Sequence, residues 1–171
     1  MRNERTDGRS SAVLAAERLL GLTEKRKPHH QEVLEAVPPG KCEHRPDPIS
    51  KSAIELVRHI AVAENRFLET VINGVFDVSA AALPDTVKTP QEVASWYEQR
   101  FAENFEALTK LSGEQLVKMV DFRGLFRRPA VSFALLGMVH TIHHRGQLST
   151  YLRPMGAKVP AIYGPSADES M

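Results

Sequence analysis

Three histidines, His140, His143 and His144, fall within five positions of one another in a chain that holds 7. Imidazole nitrogens ligate divalent ions. On a helical wheel of about 100° per residue, His144 lies about 40° from His140, and His143 sits about 60° to one side of His140 and 100° from His144. His140 and His144 therefore share a face and can hold one ion between successive turns, the geometric reason that H-x-x-x-H spacing serves metals on helices. Gln147 and Tyr151 lie within about 20° of His140 on the same stripe, which Phe133 and Leu136 extend towards the N-terminus. Gln147, one turn past His144, is placed either to orient a ligand or bound water or to serve as a buried hydrogen-bonding residue with no chemical duty.

Two histidines rarely complete a site, so a third ligand must come from another helix. His59 stands in the middle of a helical pattern whose apolar residues (Ile54, Val57, Ile60, Ala61, Leu68, Val71) centre on the opposite side. It shares its own stripe with Ser52, Glu55, Ala63, Arg66 and Thr70. Such a stripe faces either bulk water or a polar cleft; the cleft is the expectation, with the small Ala63 leaving room. His29 and His30, beside Pro28, read as exposed helix-start residues, and His44, in a proline-rich loop, as solvent-facing. Glu55 reads as a capping partner of Ser52, and Trp96, Tyr97, Phe101 and Phe105 as core.

The elements that must position these groups are helical. Residues 1–10 are polar and expected to fray. A first helix is predicted over Leu14 to Val37, with Pro28 either kinking it or standing in the first turn of a second segment, and Pro38-Pro39-Gly40 closing it. A second helix, capped by Ser50 or Ser52, runs to Asn73-Gly74; Ser52 and Glu55 have capping-box spacing. Thr89-Pro90-Gln91-Glu92 opens a third, carried by Val93, Trp96, Tyr97, Phe101, Phe105, Leu108 and Leu111 and stopped at Gly113. Glu114 to Arg128 is ambiguous; within it Gln115 to Phe122 fits either a short helix or an extended piece. Pro129 to about Leu152 is the last helix, closed by Pro154 and Gly156. No segment alternates convincingly with period two, so an all-α bundle of four helices is expected. It should span residues 11–156, with an irregular tail, 157–171, packed on or near it.

Composition narrows the class. The chain has 171 residues, 42% hydrophobic and 25% charged, enough for one domain with a real core. The single cysteine, Cys42, excludes an intrachain disulfide and a cysteine-rich zinc framework, and suits a reducing cytoplasm. The longest clean apolar run, Phe133 to Val139, is far short of the roughly 18–20 residues of a membrane helix, and Glu17 and Arg18 interrupt the only N-terminal stretch that could imitate a secretory signal. Net charge is +1, from 22 basic and 21 acidic residues. Lys118 to Lys158, however, contains seven basic residues and one acidic, so it carries +6 and the remainder −5. This segment could rim the site for an anion, or its arginines could simply solvate the last helix and complement its C-terminal dipole. Without a recognition motif, nucleic-acid binding is not expected.

The run His140-Thr141-Ile142-His143-His144-Arg145-Gly146-Gln147-Leu148, with Tyr151, Leu152 and Arg153, resembles the hallmark last helix of the DinB/YfiT-like metalloenzymes. Arg45-Pro46 through Ser52, Glu55, Leu56, His59 and Ile60 resembles that family's second helix and the loop before it, and Gly156 through Val159-Pro160 to Tyr163-Gly164 resembles its close. The resemblance implies a four-helix bundle of up-down-down-up arrangement, often dimeric, with a divalent metal on three histidines. By position these are His59, His140 and His144; His143 is not one of the usual three.

Three neutral imidazoles leave a coordination position open, as catalytic sites do. Softness favours zinc, although nickel, iron or manganese also accept imidazole. The resemblance further implies a metal-dependent transferase or isomerase that activates a low-molecular-weight thiol (bacillithiol, mycothiol or glutathione) towards an electrophile; since such an ion also lowers the pKa of bound water, a hydrolase is the other expected chemistry. Arg145 and Tyr151 are the expected substrate contacts, with His143 and Gln147 supporting the metal. The alternative is a non-catalytic metal-binding stress-response protein. The reverse face of the last helix, Val131, Leu135, Met138 and Ile142, is also apolar, which points to a homodimer unless the loop Glu114 to Arg128 covers it.

Overall fold

The computed structural model describes residues 27–168, with side chains from residue 30 onward. The expected frayed start, the part of the first helix before residue 27, the side chain of His29 and residues 169–171 lie outside the described residues. Helix α1 spans Lys27–Glu35. Pro28 stands in its first turn, where a missing N–H costs nothing.

Helix α2, Ala53–Asn73, is fixed at both ends by local chemistry. Ser52 and Glu55 close a reciprocal capping box: the Glu55 carboxylate accepts from the Ser52 N–H at 2.7 Å, and the Ser52 hydroxyl accepts from the Glu55 N–H at 3.4 Å. Gly74 ends the helix at φ 64°, a conformation that costs glycine no Cβ clash, and donates to the Thr70 carbonyl. Helix α3, Pro90–Thr109, starts on the Thr89–Glu92 capping box with Pro90 in its first turn.

Between α3 and the last helix the structure departs from the expected pattern. Helix α3 ends at Thr109 rather than Gly113, and Ser112 caps a further short helix, α4, Gly113–Val117, in which Gly113 is the first residue. Strands β1 (Met119–Phe122) and β2 (Phe126–Pro129) then pair antiparallel, Phe122 opposite Phe126. Arg123 and Gly124, both at positive φ, make the turn, and the Asp121 carboxylate accepts from the Gly124 N–H at 2.8 Å. Helix α5 is therefore Val131–Leu152, and Pro129 belongs to the hairpin.

The fold is an all-α four-helix bundle. Helix α2 packs chiefly on α5 and α3, and α1 on α3 and α5, so the order around the bundle is α1, α3, α2, α5. Leu34, Leu56, Ile60, Leu68, Tyr97, Leu108, Phe133, Leu148 and Leu152 fill its interior. Trp96 and Phe105, expected in the core, lie partly buried at its margin. Helices α2 and α5 approach closely at Gly137, where an added Cβ would lie 2.9 Å from Phe67 Cβ. Residues 157–168 are irregular and lie against the bundle through Ala157, Val159 and Ile162. The proposed self-association face is reduced: Val131 and Met138 are buried within the chain, leaving Leu135 exposed and Ile142 half-buried. No helix among the described residues is long and apolar enough to cross a membrane.

Candidate metal centre

His59 lies in the second turn of α2, and His140 and His144 occupy successive turns of α5. The close packing of α2 on α5 brings the three together. One ligand nitrogen from each lies within 4.8 Å of the others, the only such group of His, Cys, Asp or Glu among the described residues whose donors converge on an ion-sized space. The ring centroids are 4.8 Å apart for His59–His140, 4.5 Å for His59–His144 and 4.4 Å for His140–His144. His59 Nε2 and His144 Nε2 are 3.1 Å apart. Two nitrogens on one tetrahedral zinc, at about 2.1 Å each, stand about 3.4 Å apart, so the pair is already near ligand spacing. All three rings are half-buried.

The donor set fits a divalent ion. His140 Nδ1 is buried and has no hydrogen-bond partner among the described residues, which is the state of a ring whose polar atom has another use. Burial, together with the neighbouring imidazoles, pushes His59 and His140 down to about 4 from the usual 6.5. Both rings are thus neutral near pH 7, as ligands must be. No carboxylate among the described residues joins the group, so the donor set is borderline-soft.

Behind the ligands, α5 supplies an orienting chain. Gln147 Oε1 lies 3.0 Å from His144 Nδ1, and Gln147 Nε2 donates to the Tyr151 hydroxyl at 3.5 Å. Tyr151 in turn donates to the Lys51 carbonyl at 3.3 Å. With the amide so turned, Gln147 accepts from Nδ1–H and leaves the Nε2 lone pair of His144 facing His59. His143 is exposed and sets its ring edge against His144 at 4.8 Å between centroids. Phe67 walls the other side, 5.9 Å from the His140 ring.

Several residues occupy places other than those the sequence suggested. Arg145, expected on a rim or in contact with substrate, is 3% exposed. Its guanidinium donates to Tyr163 Oη at 2.7 Å and to His30 Nδ1 at 3.4 Å, and lies 5.0 Å over the Tyr163 ring. Tyr151, the other expected substrate contact, is 2% exposed and held between Gln147 and Lys51. His30, expected at the surface, is 2% exposed, with the Arg145 guanidinium of α5 3.4 Å from its Nδ1. His44 is half-buried, not solvent-facing, with its ring edge against Tyr151. Glu55 does serve the capping box, and it also pairs with Arg45 at 2.9 Å.

Sequence reasoning missed one group altogether. Glu64, in the interior between α2 and α3, accepts from the Tyr97 hydroxyl at 2.8 Å. Burial raises its carboxyl from 4.5 to about 7, against the opposing pull of the Tyr97 hydrogen bond and the Arg145 charge. Beside it, Asn104 donates to the Asn65 side chain at 2.9 Å. The signal was present: Glu64, Asn65 and Asn104 fall on the apolar faces of their helices, where a polar residue needs a buried partner.

Comparison with known proteins places these observations. The sequence model of the DinB family matches residues 16–171. The uncharacterized protein YjoA of Bacillus subtilis (strain 168) is 31% identical over 127 residues, covering 73% of this chain and 80% of the relative. Its crystal structure, described as DinB-like, superposes with a TM-score of 0.71 at 23% identity, over 86% of this chain and 99% of that one. A DinB-like protein from Bacillus cereus ATCC 10987 gives the same TM-score at 22% identity, over 86% and 97%. A mycothiol-dependent maleylpyruvate isomerase is more distant, with a TM-score of 0.50 and 13% identity over 85% of this chain and 64% of that one.

Proposed function

This chain belongs to the DinB family, and on that premise we propose that it is a metal-dependent enzyme, with a divalent ion held by His59, His140 and His144, that acts on a low-molecular-weight thiol or on water. The observation that carries the reading is the convergence of three imidazoles from two helices, with no fourth His, Cys, Asp or Glu in the group among the described residues. A structural zinc site uses four protein ligands; three leave a position for a reactant. When bound, such an ion supplies Lewis acidity, which lowers the pKa of a thiol or water and makes either a nucleophile near neutrality. Zinc is the proposed ion, with nickel, iron or manganese compatible with the same donors. The thiol option draws on a neighbour in fold that is described as mycothiol-dependent.

The protein's own contribution is placement. Gln147 holds His144 in one tautomer, Tyr151 holds Gln147, and the close α2–α5 packing at Gly137 sets the reach of His59. Phe67 excludes water from one flank of His140.

The test is elemental analysis of protein purified without added metal, followed by thiol-transfer assays with mycothiol, bacillithiol and glutathione and by hydrolase assays. Near-stoichiometric metal with thiol-dependent turnover is expected. Metal content that survives in His59→Ala, His140→Ala and His144→Ala alike would refute the site. Bound metal with no turnover in any assay would favour the non-catalytic reading.

A further inference from the structure

A groove of about 480 Å3 lies along α5 beside the hairpin, lined by Phe126, Phe133, Leu136 and Val139, with Arg128 and Ser132 as its polar members. Its size falls within the range of small-molecule sites. The apolar wall is open to solvent: Val139 is 53% exposed and Phe126 38%. Contiguous exposed apolar surface marks a binding site more often than chance exposure does.

The groove adjoins the three-histidine centre. Leu136 stands one turn before His140 on the same stripe of α5, and Phe133 nearly two turns before it. The Phe67 ring lies 6.5 Å from Phe133, which lines the groove, and 5.9 Å from His140, so a single ring lies next to both a groove residue and a ligand. Val139 immediately precedes His140. Arg128 is the only ionic side chain in the lining and makes no ion pair among the described residues. An occupant that satisfies these walls has an aryl or alkyl body for the phenylalanines and one anionic group for the guanidinium.

We infer that this groove takes the apolar, singly anionic part of the substrate, an aryl or alkyl carboxylate whose other end reaches the three-histidine centre. The inference rests on the enzymatic reading of that centre. A second copy of the chain is the competing occupant, and Leu135, on the same wall, would be shared with it.

The probe is anilinonaphthalene sulfonate, an aryl body with one anion, titrated by fluorescence into the full chain after chelator treatment and again after zinc loading. Saturable binding is expected in both states. Displacement by phenylbutyrate should be about tenfold better than by uncharged phenylbutanol, as one charge-assisted contact allows. Arg128→Gln should remove that preference, and Val139→Glu should weaken the probe about tenfold. Both positions are exposed, and melting curves check that the variants fold. No saturable binding, or binding that neither substitution alters, overturns the inference. So does sedimentation velocity showing a wild-type dimer that Val139→Glu dissociates, since the groove then belongs to a second copy. The chelator-treated titration needs no metal, so failure of the groove is separate from failure of the metal site, which elemental analysis reports.

Discussion

His59 Nε2 and His144 Nε2 stand 3.1 Å apart although 85 positions separate them in the chain. Nothing local holds them there; the contact exists only when α2 and α5 are packed. Each of His59→Ala, His140→Ala and His144→Ala should therefore weaken zinc by more than about 100-fold, beyond the 10–100-fold typical of an outer partner. Competition against a chelator of known affinity measures this. The melting temperature of the metal-free protein should hardly change, since the rings are half-buried and lose few contacts.

Gln147 tests the orienting chain. Gln147→Leu keeps the volume but removes the acceptor for His144 Nδ1, so zinc should bind about 10–100-fold more weakly. Tyr151→Phe, which leaves Gln147 in place, should have a smaller effect in the same assay. Unchanged affinity in Gln147→Leu would leave Gln147 as a hydrogen-bonding residue alone.

Gly137 and Gly146 lie on the same helix and predict opposite outcomes for the same substitution. In isolation, Gly→Ala inside a helix gains about 1 kcal/mol. At Gly146 nothing among the described residues lies within 4 Å of the added Cβ, so Gly146→Ala should realise most of that gain in urea unfolding. At Gly137 the added Cβ meets Phe67 Cβ at 2.9 Å. That atom cannot swing away, and overpacking costs about 1–3 kcal/mol. Gly137→Ala should be neutral to destabilising, and by parting α2 from α5 it should also weaken zinc binding.

Stability of the metal-free chain should carry two opposing pH slopes. Between 4.5 and about 7 the folded state keeps Glu64 protonated while the unfolded state has released the proton, so stability falls as pH rises. Between about 4 and 6.5 the folded state keeps His59 and His140 neutral while the unfolded state binds protons there, so stability is lost as pH falls. In the overlap, unfolding takes up two protons and releases one. Glu64→Gln abolishes the release, so its stability should rise more steeply with pH and should exceed that of the wild type above pH 7. Urea midpoints across the pH range check both points, and a slope no steeper than the wild type's would contradict the account of Glu64.

How much of this was legible follows from the range of each interaction. The capping boxes at Ser52–Glu55 and Thr89–Glu92 could be read because they close within four residues. The shared face of His140 and His144 could be read from helical period, and His59 from its polar stripe together with the family resemblance. The hairpin could not: β2 is Phe126-Arg127-Arg128-Pro129, with no residue fully buried, so it shows no alternation. The Ser112–Gln115 signal for α4 was present but masked by Gly113, which resembled a stop. His30 was misread because its partner Arg145 lies more than 100 positions downstream.

Arg145 has a further implication for handling the protein. Its guanidinium ties α1 to the tail at a point next in sequence to His144. Tyr163 is itself largely exposed, but its hydroxyl accepts from the buried Arg145, and a cut that removed it would strip that cation of an oxygen acceptor. Shortened versions made for crystallisation or tagging should therefore end beyond Tyr163. A version ending before it should be thermolabile and, through His144, slow to hold metal.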